Sequence, residues 1–181
     1  MSGSAEASYD WRPIGLSGVR RRLWELIGAA PGLHFRELQR QSRAATGETV
    51  YHLDVLERQG HIQSERFGGL RRFFSPEVAA EDRAVFAALH SQTRRQIVLL
   101  LLAEGQLTHR QLVEATRLAP STLTWHLRHL RRSGVLELEP SASAYTLVRP
   151  RVVRKLLLRH RTTFRDELVN RFADTWDQIS L

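Results

Sequence analysis

Cysteine is absent from the 181 residues, which excludes disulfides, thiolate zinc sites and cysteine nucleophiles and is compatible with an intracellular protein. Lysine is nearly absent as well. Lys155 is the only one, so almost all of the 27 basic residues are arginine. Long apolar runs are missing too. The longest, "IVLLLLA" at 97–103, falls far short of the roughly 20 residues that span a bilayer, and it reads as a buried helix segment. The first residues, "MSGSAEASYDW", carry no basic stretch followed by an apolar one, so no secretion signal is read there. The expectation is a cytoplasmic, nucleoid-associated chain with no membrane partner. No P-loop, glycine-rich dinucleotide motif, HExxH or triad spacing occurs, and the expectation is a chain that is not an enzyme and holds no cofactor.

What is present is a charge bias. The 27 basic residues face 19 acids, for a net charge of +8 and a pI near 11.2. That balance points to a polyanionic partner, nucleic acid first and an anionic membrane second. Arginine suits bidentate contacts to phosphate and guanine, although a GC-rich genome also yields arginine for lysine. Hydrophobic residues make up 42% and charged ones 25%, which is the balance of a chain that buries a core.

The chain also repeats itself. Shifted by 74 positions, residues 20–62 lie on 94–136 without a gap, with identities that include Arg20, Leu33, Leu38, Arg43, His52, Leu53, Leu56 and Gly60. Two copies at this period indicate duplicated domains and not a solenoid of short units. In the first copy Val19, Leu23, Leu26 and Ile27 form an apolar stripe at helical spacing, stopped by Ala30-Pro31-Gly32. A second helix follows over 34–42 and a third over 47–59, ended by Gly60. "IQSERF", a Gly-Gly turn and "RRFFS" then predict a hairpin. The second copy runs in the same order, with Thr108 and Gln111 as a capping box and Pro120 in the first turn of its third helix.

Three helices and a hairpin, with a tight middle turn, is the order of a winged helix-turn-helix. The stretches "ETVYHLDVLERQGHI" and "STLTWHLRHLRRSGVL" resemble the third-helix signature of ArsR/MarR-like winged-helix regulators, most closely the archaeal-type group with two such domains in tandem. The resemblance covers roughly residues 17–148. It implies a mostly α fold with small β-hairpins, built as two tandem winged helix-turn-helix domains plus a long C-terminal helix. The expected partition is a flexible segment 1–16, domain one 17–75, a helical linker 76–91, domain two 92–149 and a C-terminal amphipathic helix 150–181.

On the third helix of the second copy, Leu123, Leu127 and Leu130 share one side, and Ser121, Trp125, Arg128 and Arg132 share the other. Such a helix fits the DNA major groove, with Ser121, Thr122 and Thr124 near base edges and Arg128, His129, Arg131 and Arg132 along the backbone. The bland alternative is a solvated charged face, and Trp125 equally suits a protein contact. His126 and His129 are spaced like metal ligands at i, i+3. With no cysteine and no acidic third ligand near, a structural role is read and no metal is expected.

The first copy presents Gly47, Tyr51, Asp54 and Arg58 instead, with Glu48 and Glu57 nearby, and these carboxylates repel phosphate. Its hairpin carries Arg66, Arg71 and Arg72, suited to a backbone or the minor groove. Two readings stand for this domain. Either it binds DNA through Thr49, Tyr51 and the hairpin, or it is a platform for a protein or ligand. The linker "SPEVAAEDRAVFAALHS" predicts a helix starting after Ser75. In the tail, Phe164, Leu168, Phe172 and Trp176 lie on an apolar stripe that either caps its own domain or joins two copies, and the homodimer is the reading adopted. The functional expectation is a sequence-specific regulator of transcription that binds double-stranded DNA as a homodimer. The alternative is a protein–protein interaction module in transcription or replication machinery.

Overall fold

The computed structural model describes residues 18–160 and residue 164. The flexible segment expected over 1–16 lies outside them. The first copy opens with α1 (Gly18–Ala29), which buries Leu23 and Ile27 and stops before Pro31 and Gly32. A two-residue strand β1 (Leu33–His34) leads into α2 (Phe35–Ser42), whose first turn is capped by the Glu37 carboxylate accepting from the His34 amide at 3.1 Å. Arg43, at φ 58°, ends α2, and α3 (Thr46–Arg58) follows and closes at Gly60, φ 73°. Strands β2 (Gln63–Phe67) and β3 (Leu70–Phe74) form the hairpin, and β1 pairs with β3 to give the sheet order β1-β3-β2.

The same sequence of elements returns. After α4 (Ala80–Leu89) come α5 (Gln92–Glu104), β4 (Gln106–Thr108), α6 (His109–Thr116), α7 (Pro120–Arg132), β5 (Leu136–Glu139), β6 (Ala144–Leu147) and α8 (Pro150–Arg159). The second sheet has the order β4-β6-β5. The duplication extends to backbone detail: Arg117 takes φ 56° where Arg43 takes 58°, and Gly134 takes 70° where Gly60 takes 73°. A buried hydroxyl closes each second helix, Ser42 donating to the Gln39 carbonyl and Thr116 to that of Leu112. The architecture is that of two tandem winged helix-turn-helix domains, mostly helical with small antiparallel sheets. Strands β1 and β4 are too short to leave a periodic signal in the sequence.

Alternation along the first hairpin decides how the copies fit together. Phe73 faces the first core, among Leu23, Ile27, Leu38, Leu53, Leu56 and Ile62. Phe74, one residue on, is fully buried in the other core with Val85, Phe86, Leu89 and Ile97, and Phe67 packs against the same cluster. Arg83 of α4 pairs with Glu65 of β2 at 3.5 Å and lies over the Phe74 ring. The outer face of the first hairpin is therefore packed against the second domain.

The segment expected as a plain linker helix from Ser75 differs in two ways. Ser75 is buried and its carbonyl accepts from the Val78 amide at 3.1 Å, so a turn precedes the helix, which begins only at Ala80. That helix is not a spacer. Val85, Phe86, Ala88 and Leu89 belong to the second core, and Arg149 ties α4 to the start of α8 through Asp82 at 3.2 Å. At the tip of the first hairpin, Gly68 sits at φ 59° and is so close to α7 that a Cβ there would lie 2.6 Å from His129 Cε1.

Two measurements test this joint. Gly68→Ala combines left-handed backbone strain with a clash on His129 and is expected to cost about 1–3 kcal/mol in urea unfolding. Adding His129→Ala should recover the steric part and leave about 1 kcal/mol of backbone strain. The second measurement concerns His90, which follows α4 and donates from Nε2 to the Pro31 carbonyl at 2.8 Å. Burial pushes its pKa down to about 4, against a smaller opposing pull from that carbonyl. The unfolded chain takes up this proton near pH 6.5 and the folded chain only near 4, so the stabilisation is full above 6.5 and lost as pH falls through that window. The loss is expected to be about 3 kcal/mol, and His90→Gln should remove that component of the pH dependence.

Candidate nucleic-acid interface

The structure separates the predicted residues of α7 by side. Leu123, Leu127 and Leu130 are buried, with Pro120 in the first turn. Ser121, Thr122, Thr124, Trp125, Arg128, Arg131 and Arg132 are exposed, and together they form an open face with no carboxylate on the helix. Thr124 donates to the Pro120 carbonyl at 2.8 Å and stands 3.0 Å from His109 Nε2 on α6, which fixes its hydroxyl beside the helix start. Trp125 is 58% exposed. Its ring stacks on His129 at 6.1 Å between centroids and meets His126 edge-on at 4.8 Å. The indole is thus held upright on the surface. His129, predicted to contact DNA, is only half-buried, and it lies between Trp125 and the tip of the first hairpin.

Both α7 histidines are biased towards the neutral form. Burial lowers the pKa of His126, and the Arg94 charge lowers it further. The same two causes act on His129, with added repulsion from His126, Arg72 and Arg132. Among the described residues, no group of three or more His, Cys, Asp or Glu could hold a metal ion.

The equivalent face of α3 differs. Gly47, Glu48, Val50, Tyr51, Asp54 and Arg58 are exposed, and Arg58 lies 3.7 Å from Asp54. Thr49, expected at the DNA surface, is fully buried and donates its hydroxyl to the Ala45 carbonyl at 2.9 Å. It occupies the place that Leu123 takes in α7, so it belongs to the core side and cannot reach a groove.

The first hairpin is also less free than its three arginines suggest. Arg72 shares the domain-facing side of β3 with Phe74. It is only 4% exposed and donates to the Gly32 carbonyl at 2.5 Å, so it is not the open, outward-pointing cation that its place in the hairpin suggested. Arg71 is paired with Glu57 and donates to the Ser64 hydroxyl at 2.8 Å, neutralising an acid of α3. Arg66 alone of the three is exposed without an ion pair, near the turn and 3.4 Å from the Gly69 carbonyl. "RRFF" shows no alternation, so the sequence could not tell which arginine was inward. The second hairpin exposes Glu137 and Glu139 and has no arginine at its tip.

Of the residues expected to join two copies, Phe164 is buried against its own chain. It meets the His90 ring edge-on at 5.4 Å and lies under the Arg95 guanidinium at 5.8 Å. It is therefore not an open dimer contact. Leu168, Phe172 and Trp176 lie outside the described residues. Sequence reasoning missed Arg94, which half-buries beside His126, because an arginine at the start of a helix gives no sign of pointing inward.

Residues 17–86 match a family model described as an N-terminal HTH domain. Residues 91–137 match that of the bacterial regulatory proteins of the arsR family. An uncharacterized HTH-type transcriptional regulator of Methanocaldococcus jannaschii is 24% identical over 128 residues, which are 71% of this chain and 32% of that protein. The chain thus spans about a third of the length of that relative. No solved structure matches the chain significantly. Among the described residues no helix is long and apolar enough to cross a membrane. Element order, internal duplication and both family matches agree that this chain carries two tandem winged helix-turn-helix domains, the second of the arsR-family type.

Proposed function

We propose that the chain is a sequence-specific regulator of transcription that binds double-stranded DNA as a homodimer and reads it with α7. The observation that carries this reading is the face of α7 itself: an exposed tryptophan, three exposed arginines and the Ser121, Thr122 and Thr124 hydroxyls, away from its buried leucines. The hydroxyls at the N-terminal end suit base edges, and the arginines suit phosphates on either side of the major groove. The chemistry is non-covalent and consists of placing a protein on a site so that polymerase is excluded or recruited. The rigid joint between the domains supports one defined geometry over two independently tethered readers. In this reading Arg66 adds a single backbone contact from the first hairpin.

One observation favours a second role for the first domain. Val50 and Tyr51 on α3 are 52% and 57% exposed, beside Glu48 and Asp54. An apolar and acidic face of this kind suits a protein partner from the transcription machinery better than a phosphate backbone.

Selection of bound genomic fragments, followed by fluorescence anisotropy on the selected duplex at two salt concentrations, tests the main reading. Log affinity should fall linearly with log salt. Arg128→Ala with Arg132→Ala should weaken binding by about a hundredfold and reduce the salt slope by about two. Tyr51→Ala with Asp54→Ala should leave duplex affinity unchanged. Salt-independent binding, or full affinity in the double arginine variant, would overturn the proposal.

A further inference from the structure

The duplication provides its own control for one pair of residues. In the first copy Arg20 Nε donates to His52 Nδ1 at 3.3 Å, and His52 also lies 3.9 Å from the Glu48 carboxylate. Seventy-four positions on, the same two residue types recur as Arg94 and His126. There the bond is not made. Arg94 Nε and His126 Nδ1 are both buried, and neither has a hydrogen-bond partner. The acid beside the first pair is gone as well: Glu48 is replaced by Thr122, and elsewhere on the helix Asp54 and Glu57 are replaced by Arg128 and Arg131.

A third buried nitrogen without a partner belongs to the same neighbourhood. Arg72 of β3 gives one guanidinium nitrogen to Gly32, but its Nε is unpaired. Arg72 lies within electrostatic reach of Arg94, and His129 feels Arg94, His126, Arg72 and Arg132 together. Five groups from three elements therefore converge between the first hairpin and α7: Arg72 from β3, Arg94 from α5, and His126, His129 and Arg132 from α7. Glu37 acts on Arg72, and its carboxylate already caps α2. Buried polar groups in folded proteins find partners, and an unpaired one points to a missing water or ion. An arginine cannot resolve the problem by losing its proton. The cluster lies at the edge of the surface, since Arg94, His126 and His129 are half-buried and Arg132 is exposed.

We propose that the seam between the first hairpin and α7 binds a tetrahedral oxyanion of the phosphate class, held by Arg94 and His126, with Arg72 behind it and His129 and Arg132 at its mouth. An oxyanion supplies acceptors to the two arginine Nε groups, and to His126 Nδ1 once that nitrogen carries a proton, and it brings the negative charge that Glu48 supplies in the first copy. Its arrival reverses the electrostatics of the two histidines. With a negative group beside them the charged form is favoured, so binding takes up protons below neutrality. The chemistry has two sources, free phosphate or a backbone phosphate of bound DNA, and only the second rests on the DNA-binding reading.

The test is titration of the full chain with inorganic phosphate at constant ionic strength, balanced with chloride, followed through the imidazole resonances of His126 and His129. A saturable shift is expected, with the apparent pKa of both rings raised. Arg94→Gln and His126→Gln should each weaken the response at least about tenfold, whereas Arg20→Gln in the first copy should not change it. If Arg94→Gln fails to fold, His126→Gln carries the comparison. Identical shifts with chloride alone, or an undiminished phosphate response in His126→Gln, overturn the proposal. Duplex binding distinguishes the sources. For a backbone phosphate, Arg94→Gln lowers the salt slope by about one and inorganic phosphate competes with the duplex. For a free oxyanion, Arg94→Gln leaves the slope unchanged. Salt-dependent duplex binding without any saturable phosphate response sinks this proposal and leaves the DNA reading standing.

Discussion

The burial of Phe74 in the second core is the constraint on which the rest of this molecule depends. A hairpin has two faces, and in a lone winged domain one of them meets solvent. Here Phe73 seals the first domain while Phe74, Phe67 and Arg72 turn to the second. With that face committed, α4 cannot behave as a tether. It becomes a wall of the second core, and Gly68 is brought against His129 on α7. The position of the candidate reading helix is thus set partly by the other copy's hairpin.

Duplication followed by docking explains why the two copies differ in charge. The third helix of the second domain keeps arginines on its open face. The third helix of the first keeps acids, one of them neutralised by Arg71 from its own hairpin. The first hairpin carries three arginines, yet two of the three are held by protein acceptors. The same face of the second sheet, which no further domain covers among the described residues, is polar, with Glu137, Glu139 and Thr146. Identical topology has been put to opposite uses: one sheet joins domains and the other meets water.

Much of the fold was legible beforehand. The 74-residue repeat, the leucine stripes, the glycine stops and the turn at Gly68-Gly69 mark nearly every helix and hairpin, because burial on one side of a helix imposes a period that local reading detects. The outward face of α7 was legible for the same reason. Thr49 and Arg72 were not. A threonine on a helix and an arginine in a strand look like surface residues by type, and only the neighbour that each finds decides otherwise. Thr49 meets the carbonyl of Ala45, and Arg72 meets that of Gly32. Phe164 was recognised as apolar, but its partner was taken to be a second chain when it is His90 and Arg95 of its own.

From its residues alone this protein was determined to be a duplicated, arginine-rich winged helix-turn-helix chain with one cationic third helix. Those properties follow from periodicity and charge, which act over a few residues and are written in order along the chain. Which side of the first hairpin is open, which arginines remain free and how α7 is braced were decided only in three dimensions. They depend on contacts between residues about sixty positions apart, such as Gly68 and His129, and spacing within a single element carries no information about them.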